Sequence, residues 1–262
     1  MTDQPMTIEP IRKLIFGNLR MQVYPDKEAA GGAAARDAAE AMRQQAAGRD
    51  SIGVIFATGA SQMATLGALT TMAGVPWEKI LGFHMDEYIG IQPDHPASFR
   101  RYLRERLTSR VPMRHFLGID GNKDPAEECR CYSEALCSAN PQLCLLGIGE
   151  NGHLAFNDPD EADFEDPADM KVVRLDEACR AQQVAEGWFP SLNEVPGTAL
   201  TLTIPALFRA SKLIASVPGT RKAAIVRRTA LEPISTACPA TILRTHPDAT
   251  VYLDLDSAAG LP

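Results

Sequence analysis

The chain has 262 residues, which suffices for one large α/β domain or two small ones, and we expect a single domain spanning residues 1–262. Hydrophobic residues make up 45% and charged residues 23%, so the composition excludes a globally disordered or low-complexity chain. The formal net charge of −7 argues against nonspecific binding to nucleic acid, because phosphate backbones recruit clustered Lys and Arg.

The N-terminal segment "MTDQPMTIEP" has no basic stretch followed by an apolar one. No apolar run in the sequence approaches the length of a membrane span. We therefore expect a cytoplasmic protein that is neither exported nor inserted into a membrane.

Short apolar runs alternate with helical patterns along most of the chain. Helices are predicted at residues 27–48, 61–74, 98–110 and 128–137. Strands are predicted at "LRMQVYPD", "SIGVIFATG", "KILGFHMDEY", "LCLLGIG", "ALTLTIP", "KLIASVP", "ATILRT" and "TVYLDL". This alternation predicts an α/β fold, with a doubly wound, mostly parallel, Rossmann-like sheet and helices on both faces. Ligands in such folds bind at the carboxyl ends of the strands.

Two other features of the sequence have simple interpretations. The segment "ECRCYSEALC" has a helical pattern that separates its cysteines on the helix surface, so we expect reduced cysteines and no metal site there. The acidic segment at residues 158–171 is predicted to be a surface loop or lid.

The first strand end with chemical potential is "FATGASQ". A buried strand leads into Thr58, Gly59, Ala60 and Ser61, and a helix follows, so free backbone N–H groups would surround an anion in this turn. An ordinary turn with Ser61 as the helix N-cap is about equally compatible with the pattern. The Walker and G-x-G-x-x-G patterns are both absent from this stretch, so nucleotide binding is not supported.

The second strand end carries Asp86 and Glu87. Successive side chains of a strand face opposite ways, so at most one of the two is expected to face a given ligand. A carboxylate among apolar neighbours is suited to abstracting a proton. The alternative is a pair of loop-facing charges, with Arg100 or Arg101 as partner.

The third strand end is "GIGENGHLAFNDP", which contains a single histidine. Asp158 or Asn151 would hold His153, which could then act as an acid or base near neutral pH. A lone loop histidine is more often a hydrogen-bonded polar residue without catalytic function. The combination of an anion site, a carboxylate and a histidine at three strand ends favours a functional role.

Six segments of the chain resemble, in the same order, motifs of the glucosamine-6-phosphate deaminase/isomerase family. They are "TGASQ", "FHMDEYIGI", "HPASF", "LGIGENGHLAFNDP", "PGTRKA" and "LRTHPDATVYLD". The resemblance covers nearly the whole chain, and the ordered set is specific for a superfamily that also includes 6-phosphogluconolactonases. "MDEY" and "GHLAFN" look like the deaminase branch.

The resemblance implies a function and a role for each matching residue. Asp86 matches the enolising base, which moves a proton from C2 to C1 through an enediol, and His153 matches the histidine that assists opening of the sugar ring. Thr58, Gly59, Ala60 and Ser61, together with Lys222, match the phosphate-binding segments. The expected reaction converts glucosamine 6-phosphate into fructose 6-phosphate and ammonia, and it needs no metal or organic cofactor.

The sequence departs from the family pattern at several positions. Asn151 and Asp158 stand where well-known deaminases have Asp and Glu, so a backbone shift or bridging water is expected to help the shorter Asp158 reach His153. Glu186 falls where those enzymes have a phosphate-binding Arg. We expect that Glu186 points away or that Arg180, Gln182 or Gln183 supplies the contacts instead. The acidic segment at 158–171 replaces a basic activator site, so no such allosteric activation is expected.

Two other functions stay open. One is a 6-phosphogluconolactonase-like hydrolase, in which His153 activates water and Asp86 need not be catalytic. The other is a non-catalytic sugar-phosphate sensor. The sequence disfavours it, because no DNA-binding helix pair or basic extension accompanies the domain, but the changes at Asn151 and Asp158 keep it open. The sequence does not identify the hexosamine, and a homo-oligomer is possible. His84, His95 and His246 have about even odds of lining the site or packing elsewhere.

Overall fold

The computed structural model describes residues 8–262, apart from the side chain of Ala178. Residues 1–7, which form most of the N-terminal segment considered above, lie outside the described residues. Over the described range the chain forms eleven β-strands and seven α-helices. None of these helices combines the length and the apolar character that a bilayer span requires.

The strands are β1 (Arg12–Phe16), β2 (Leu19–Tyr24), β3 (Ile52–Phe56), β4 (Ile80–His84), β5 (Asp86–Tyr88), β6 (His115–Leu117), β7 (Leu143–Leu146), β8 (Met170–Arg174), β9 (Thr198–Leu202), β10 (Lys212–Ser216) and β11 (Ala249–Asp254). The helices are α1 (Lys27–Ala46), α2 (Met63–Leu69), α3 (Phe99–Leu103), α4 (Pro125–Ala139), α5 (Glu177–Ala185), α6 (Ile204–Phe208) and α7 (Ala223–Leu231).

Eight strands form the central sheet, in the order β1-β2-β11-β10-β7-β3-β4-β6. Only the β1–β2 pair is antiparallel within this sheet, and the other neighbours are parallel. The predicted α/β fold with a mostly parallel sheet is therefore confirmed. The assignment of residues 1–262 to one domain stays a prediction.

Side chains of the central strands alternate between two apolar layers, as the pleat of a strand requires. On β7, Leu143 and Leu145 pack with the alanine-rich face of α1, whereas Cys144 and Leu146 pack with residues of α4, α6 and α7. Burial on both faces explains why these strands are continuous apolar runs in the sequence. Helices therefore cover the sheet on both sides, as predicted.

A second, three-stranded antiparallel sheet has the order β5-β9-β8. The predicted strand at 79–88 is therefore two strands, because the chain leaves the central sheet after His84 and pairs Asp86 with Thr201 of β9. The amide of Leu202 donates to the carbonyl of Met85 at this junction, at 2.7 Å. The small sheet lies across the end of the large one and brings its residues toward the same edge.

The predicted strand "ATILRT" is wrong, since Pro239–Thr245 forms a 3₁₀ helix. Pro239 occupies its first turn, where a missing N–H costs little. The hydroxyl of Thr241 donates to the carbonyl of Cys238 at 2.7 Å and accepts from the amide of Ser235 at 3.0 Å, which stabilises the turn locally. These side-chain hydrogen bonds compete successfully with strand pairing.

Two adjacent glycines in α1 differ in what surrounds them. A Cβ on Gly31 would lie 2.5 Å from the Cβ of Ala64, at the contact between α1 and the segment that begins α2. A Cβ on Gly32 would have Arg36 Nη1, at 3.6 Å, as its nearest neighbour. Close helix packing therefore explains Gly31, whereas Gly32 has room for a side chain.

We predict that Gly31→Ala destabilises the fold by about 1–3 kcal/mol, because the added methyl group overpacks the helix contact. Gly32→Ala is the matched control and should stabilise the helix by up to about 1 kcal/mol. Denaturant unfolding of both variants measures the difference. Equal effects of the two substitutions would contradict the packing argument.

Candidate active site

A cavity of about 420 Å³ opens where β3, β7 and β10 end and where β5 crosses them. Seven of the nine residues to which the resemblance assigns a catalytic or phosphate-binding role line it, namely Thr58, Gly59, Ala60, Ser61, Asp86, His153 and Lys222. Asn151 and Asp158 lie behind His153. The residues without a sequence prediction that line the cavity include Lys27, Phe99, Thr220 and Arg221.

The turn after β3 forms one wall of the cavity. Gly59 has a φ of 93°, which only glycine adopts easily, and its carbonyl accepts a hydrogen bond from the amide of Gln62 at 3.1 Å. No side chain caps the helical segment that follows, so Ser61 does not act as the N-cap. Its hydroxyl faces the cavity region and accepts from Gln62 Nε2 at 3.0 Å.

The turn after β10 repeats this geometry on the facing side. Gly219 has a φ of 97°, a 3₁₀ segment follows at Thr220–Lys222, and the carbonyl of Gly219 accepts from the amide of Lys222 at 2.9 Å. The carboxylate of Asp254 accepts from the Gly219 amide at 3.0 Å and fixes the turn. The shared pattern of a strand, a glycine and a helix start could have identified Thr220 and Arg221 from the sequence.

Lys222 is largely buried at the base of this second turn. Burial lowers the pKa of its ammonium group, and the negative charges of Glu150 and Glu186 oppose that change. A buried cation with no close carboxylate partner in the described chain is well placed to meet an anionic ligand.

Asp86 reaches the cavity from β5. Burial, reinforced by the negative charge of Glu87, raises the pKa of Asp86 well above its usual value. The neighbouring Glu87 points the other way, where the Ser98 hydroxyl donates to it at 2.8 Å and the Arg100 amide at 3.0 Å. The two carboxylates therefore face opposite ways, as strand alternation predicts. The alternative interpretation, a carboxylate that has a partner within the protein, applies to Glu87.

His153 is held from behind by Asp158, whose Oδ1 lies 2.9 Å from the imidazole Nδ1. The shorter Asp158 thus contacts the ring directly, and no bridging water is needed. Hydrogen bonds and charge from His153, with a further hydrogen bond from Asn151, outweigh burial and lower the pKa of Asp158. Asp158 therefore stays ionised, and its carboxylate faces the imidazole.

Asn151 acts on Asp158 and on the backbone, without touching the imidazole. Its Nδ2 donates to Asp158 Oδ1 at 2.9 Å and to Asp176 Oδ2 at 3.0 Å, and its Oδ1 accepts from the His153 amide at 3.0 Å. An aspartate at 151 would place a third carboxylate against Asp158 and Asp176. The amide thus suits this arrangement, which includes Asp176 as a partner that sequence reasoning missed.

Gly149 leaves space for the imidazole. A Cβ at this position would lie 2.2 Å from His153 Nε2, so any other residue would displace the ring. Cys179 packs on the opposite side, and its Sγ lies with donor atoms of His153 and Asp158 inside 4.8 Å. Burial and nearby carboxylates raise the pKa of this thiol well above its usual value, which opposes the thiolate that a metal ion requires.

Glu186 lines the cavity, so the expectation that it points away is wrong. Its carboxylate accepts from Gln182 Nε2 at 2.8 Å and from Trp188 Nε1 at 3.1 Å, which hold it against the wall. Gln182 and Gln183 also line the cavity, and their contacts with phosphate stay a prediction. Arg180 instead donates to the carbonyls of Leu192 and Val195, at 2.6 and 3.2 Å.

The acidic segment at 158–171 is mostly a loop, although its last residues, Met170 and Lys171, begin β8. The Nζ of Lys171 lies 2.9 Å from Oδ2 of Asp166 and donates to the carbonyl of Glu161 at 2.6 Å. The segment is thus tied to the small sheet, and Asp158 at its start reaches His153.

The other three histidines noted in the sequence have structural partners away from the cavity wall. His84 Nε2 accepts from the Ile119 amide at 2.7 Å, and burial together with the Arg100 charge lowers the pKa of His84 to about 3. His95 accepts from the Ala97 amide at 3.1 Å, and His246 accepts from the Asp248 amide at 3.1 Å. These contacts favour the packing interpretation for all three.

Comparison with known proteins gives one consistent family. Residues 25–252 match the model of the glucosamine-6-phosphate isomerases/6-phosphogluconolactonase family. A glucosamine-6-phosphate deaminase of Geobacillus sp. (strain WCH70) is 35% identical over 79% of this chain and 83% of its own length. One of Thermoanaerobacter pseudethanolicus is 31% identical over 87% of this chain and 90% of its own.

Solved structures agree with the observed fold. A monomeric glucosamine-6-phosphate deaminase superposes with a TM-score of 0.83 at 28% identity, over 92% of this chain and 99% of its own. A 6-phosphogluconolactonase from Thermotoga maritima gives a TM-score of 0.73 at 19% identity, over 89% of this chain and 98% of its own. At 19% identity, the likeness to the 6-phosphogluconolactonase shows a shared fold alone.

The burial of Asp86 predicts a stability cost that depends on pH. A carboxyl whose pKa is raised by folding is neutral in both states at low pH and opposes folding once the pH rises above its usual range. We predict that Asp86→Asn stabilises the protein by about 1 kcal/mol at neutral pH. The gain should shrink toward about pH 4, where the unfolded carboxyl also gains protons.

Thermal unfolding of wild type and Asp86→Asn across this pH range measures the effect, with the exposed Asp94→Asn as matched control. A gain that is independent of pH, or a loss of stability at neutral pH, would show that the buried carboxylate is not the cause.

Proposed function

Because the chain belongs to the glucosamine-6-phosphate isomerase/6-phosphogluconolactonase family, we propose that it isomerises and deaminates an amino-sugar phosphate, converting glucosamine 6-phosphate into fructose 6-phosphate and ammonia. The curated deaminase relatives support this proposal over the lactonase alternative, because the lactonase likeness lies below 25% identity. The roles of individual residues are part of the proposal.

The phosphate binds between the two glycine turns. Thr58, Gly59, Ala60 and Ser61 supply backbone and hydroxyl donors from one side, and Lys222 supplies a buried positive charge from the other. A charge-assisted hydrogen bond from a partly desolvated lysine is stronger than a neutral one. The turns thereby orient the sugar with its far end toward Asp86 and His153.

His153 assists opening of the sugar ring. Its imidazole is fixed between Gly149 and Asp158, and the Asp158 carboxylate stabilises the protonated form at a distance of 2.9 Å from Nδ1. A protonated imidazole donates its proton to the ring oxygen as the C1–O bond of the ring breaks, and the neutral imidazole then takes up the proton of the C1 hydroxyl, which gives the open-chain aldehyde.

Asp86 then moves a proton from C2 to C1. As the base it removes the proton at C2, which is acidified by the neighbouring carbonyl, and the returned proton at C1 leaves an imine at C2. Addition of water to this imine and departure of ammonia give fructose 6-phosphate. Burial suits Asp86 to the task, because a carboxylate with a raised pKa is a stronger base.

The observation that carries the proposal is the position of Asp86. It is a buried carboxyl facing a cavity that also holds a carboxylate-paired histidine and an anion-binding pair of turns. A lactonase would use His153 to activate water and has no need of a carboxyl with a raised pKa at this point.

We predict that wild type releases ammonia and fructose 6-phosphate from glucosamine 6-phosphate, and that Asp86→Asn and His153→Ala each lower kcat by about 100-fold or more. Coupled assays of both products measure this. Asp94→Asn and His115→Ala, which change exposed residues of the same types, should leave the rate within about twofold.

Other outcomes distinguish the alternatives. Hydrolysis of 6-phosphogluconolactone that survives Asp86→Asn, without ammonia release by wild type, would identify the lactonase. Binding of phosphosugars with no turnover of either substrate would identify a sensor. Retained deamination in Asp86→Asn would contradict the proposed base.

A further inference from the structure

We propose that Glu186 tunes the anion-binding end of the cavity for a tetrahedral group with a single negative charge, so that the phosphosugar binds best as its phosphate monoanion. This inference rests on the proposed function, because it assumes that the phosphate lies between the two glycine turns. It assigns a specificity-determining role to a residue that is acidic where the binding of an anion would favour a basic one.

The first support is that Glu186 cannot easily leave the cavity wall. Gln182 Nε2 and Trp188 Nε1 donate to its two carboxylate oxygens, at 2.8 and 3.1 Å. The amide of Gln182 is itself oriented, because its Oε1 accepts from the backbone amide of Glu150 at 3.2 Å. The chain therefore holds the carboxylate in place from two sides.

The second support is the charge balance of the buried part of the site. Lys222 is the buried cation at this end, and the negative charge of Glu186 acts on it. Arg221 and Lys27 also line the cavity, but their side chains are 56% and 66% exposed. Arg221 is paired with Glu150 at 3.4 Å, and solvent and salt screen such exposed charges.

The buried Lys222 and the partly buried Glu186 therefore place opposite charges at this end, and these charges partly cancel. A phosphate monoester loses its second proton at a pKa of about 6, so the dianion predominates at neutral pH. The second negative charge would face the fixed carboxylate of Glu186 without a second buried cation to offset it. The monoanion experiences about half of this repulsion, and its P–OH group can donate a hydrogen bond to the Glu186 carboxylate.

Other ionisable groups around the cavity set the background of any pH dependence. They are Lys222 and Arg221 on the turn after β10, Lys27 at the start of α1, Glu150 and His153 after β7, Asp86 on β5, Tyr88 beside it and Tyr102 on α3. Comparison of Glu186→Gln with wild type at each pH cancels their common contribution.

The test uses two probes with the same sugar, glucose 6-phosphate and glucose 6-sulfate, and measures their binding by calorimetry. The phosphate ester changes from monoanion to dianion between about pH 5 and pH 7.5, whereas the sulfate ester stays a monoanion. Binding is measured without turnover, so the result does not depend on the roles of Asp86 and His153.

At about pH 7.5 we expect Glu186→Gln to tighten binding of the phosphate ester about tenfold and of the sulfate ester about threefold, because the repulsion energy scales with ligand charge. At about pH 5 the gain for the phosphate ester should fall to about threefold or less. Glu177→Gln, an exposed carboxylate of α5, is the matched control and should change neither affinity.

Glu186→Ala provides a second variant with the same expected direction, and thermal unfolding shows whether each variant is folded. Unchanged or weaker binding of the phosphate ester by folded Glu186→Gln would overturn the proposal, as would equal gains for both esters at both pH values. Failure of wild type to bind either ester would overturn the phosphate site itself, and with it this inference.

Discussion

Parallel pairing of β3, β7 and β10 is the constraint on which the rest of this structure depends. Because the three strands run in the same direction, their carboxyl ends meet at one edge and their loops face a common cavity. Two of those loops are glycine turns with nearly the same φ, 93° and 97°, and the third carries His153. The anion end and the histidine are thus positioned by hydrogen bonds of the sheet.

The small antiparallel sheet, which is separate from the parallel sheet, supplies the remaining part of the site. It takes the chain away from β4 at Met85 and presents Asp86 to the cavity, while Glu87 on the next position faces the helix-forming segment at Ser98. Its β8 strand begins after the acidic loop that starts with Asp158. One sheet therefore supplies the two glycine turns and the histidine, and the other supplies the carboxyl and helps fix the partner of that histidine.

Burial of the ionisable side chains of the site costs free energy, and the structure offsets this cost for Asp158 more than for Asp86. Asp158 receives Asn151 and contacts His153, so its charge is well compensated. Asp86 has no such partner in the described chain, and burial raises its pKa accordingly. This difference between two carboxyls in one site fits the proposed roles, a positioning role for Asp158 and a chemical one for Asp86, because a compensated carboxylate is a poor base.

The sequence predicted the central fold because β3, β7 and β10 are buried on both faces and appear as continuous apolar runs. It also indicated the residues at the strand ends, since their loops follow those runs directly. It did not reveal the small sheet, because β4 and β5 form one uninterrupted apolar-to-acidic pattern and only tertiary pairing divides them. The position of Glu186 depends on contacts with Gln182 and Trp188, which local sequence patterns do not encode.

The measurement that tests the central claim most directly is the incorporation of deuterium into fructose 6-phosphate in deuterated water, with and without added ammonia. If Asp86 moves a proton between C2 and C1, wild type should introduce deuterium at C1 in the presence of ammonia, and Asp86→Asn should not. Exchange at C1 that is as fast in folded Asp86→Asn as in wild type would contradict proton transfer by Asp86, whatever other activity the protein has.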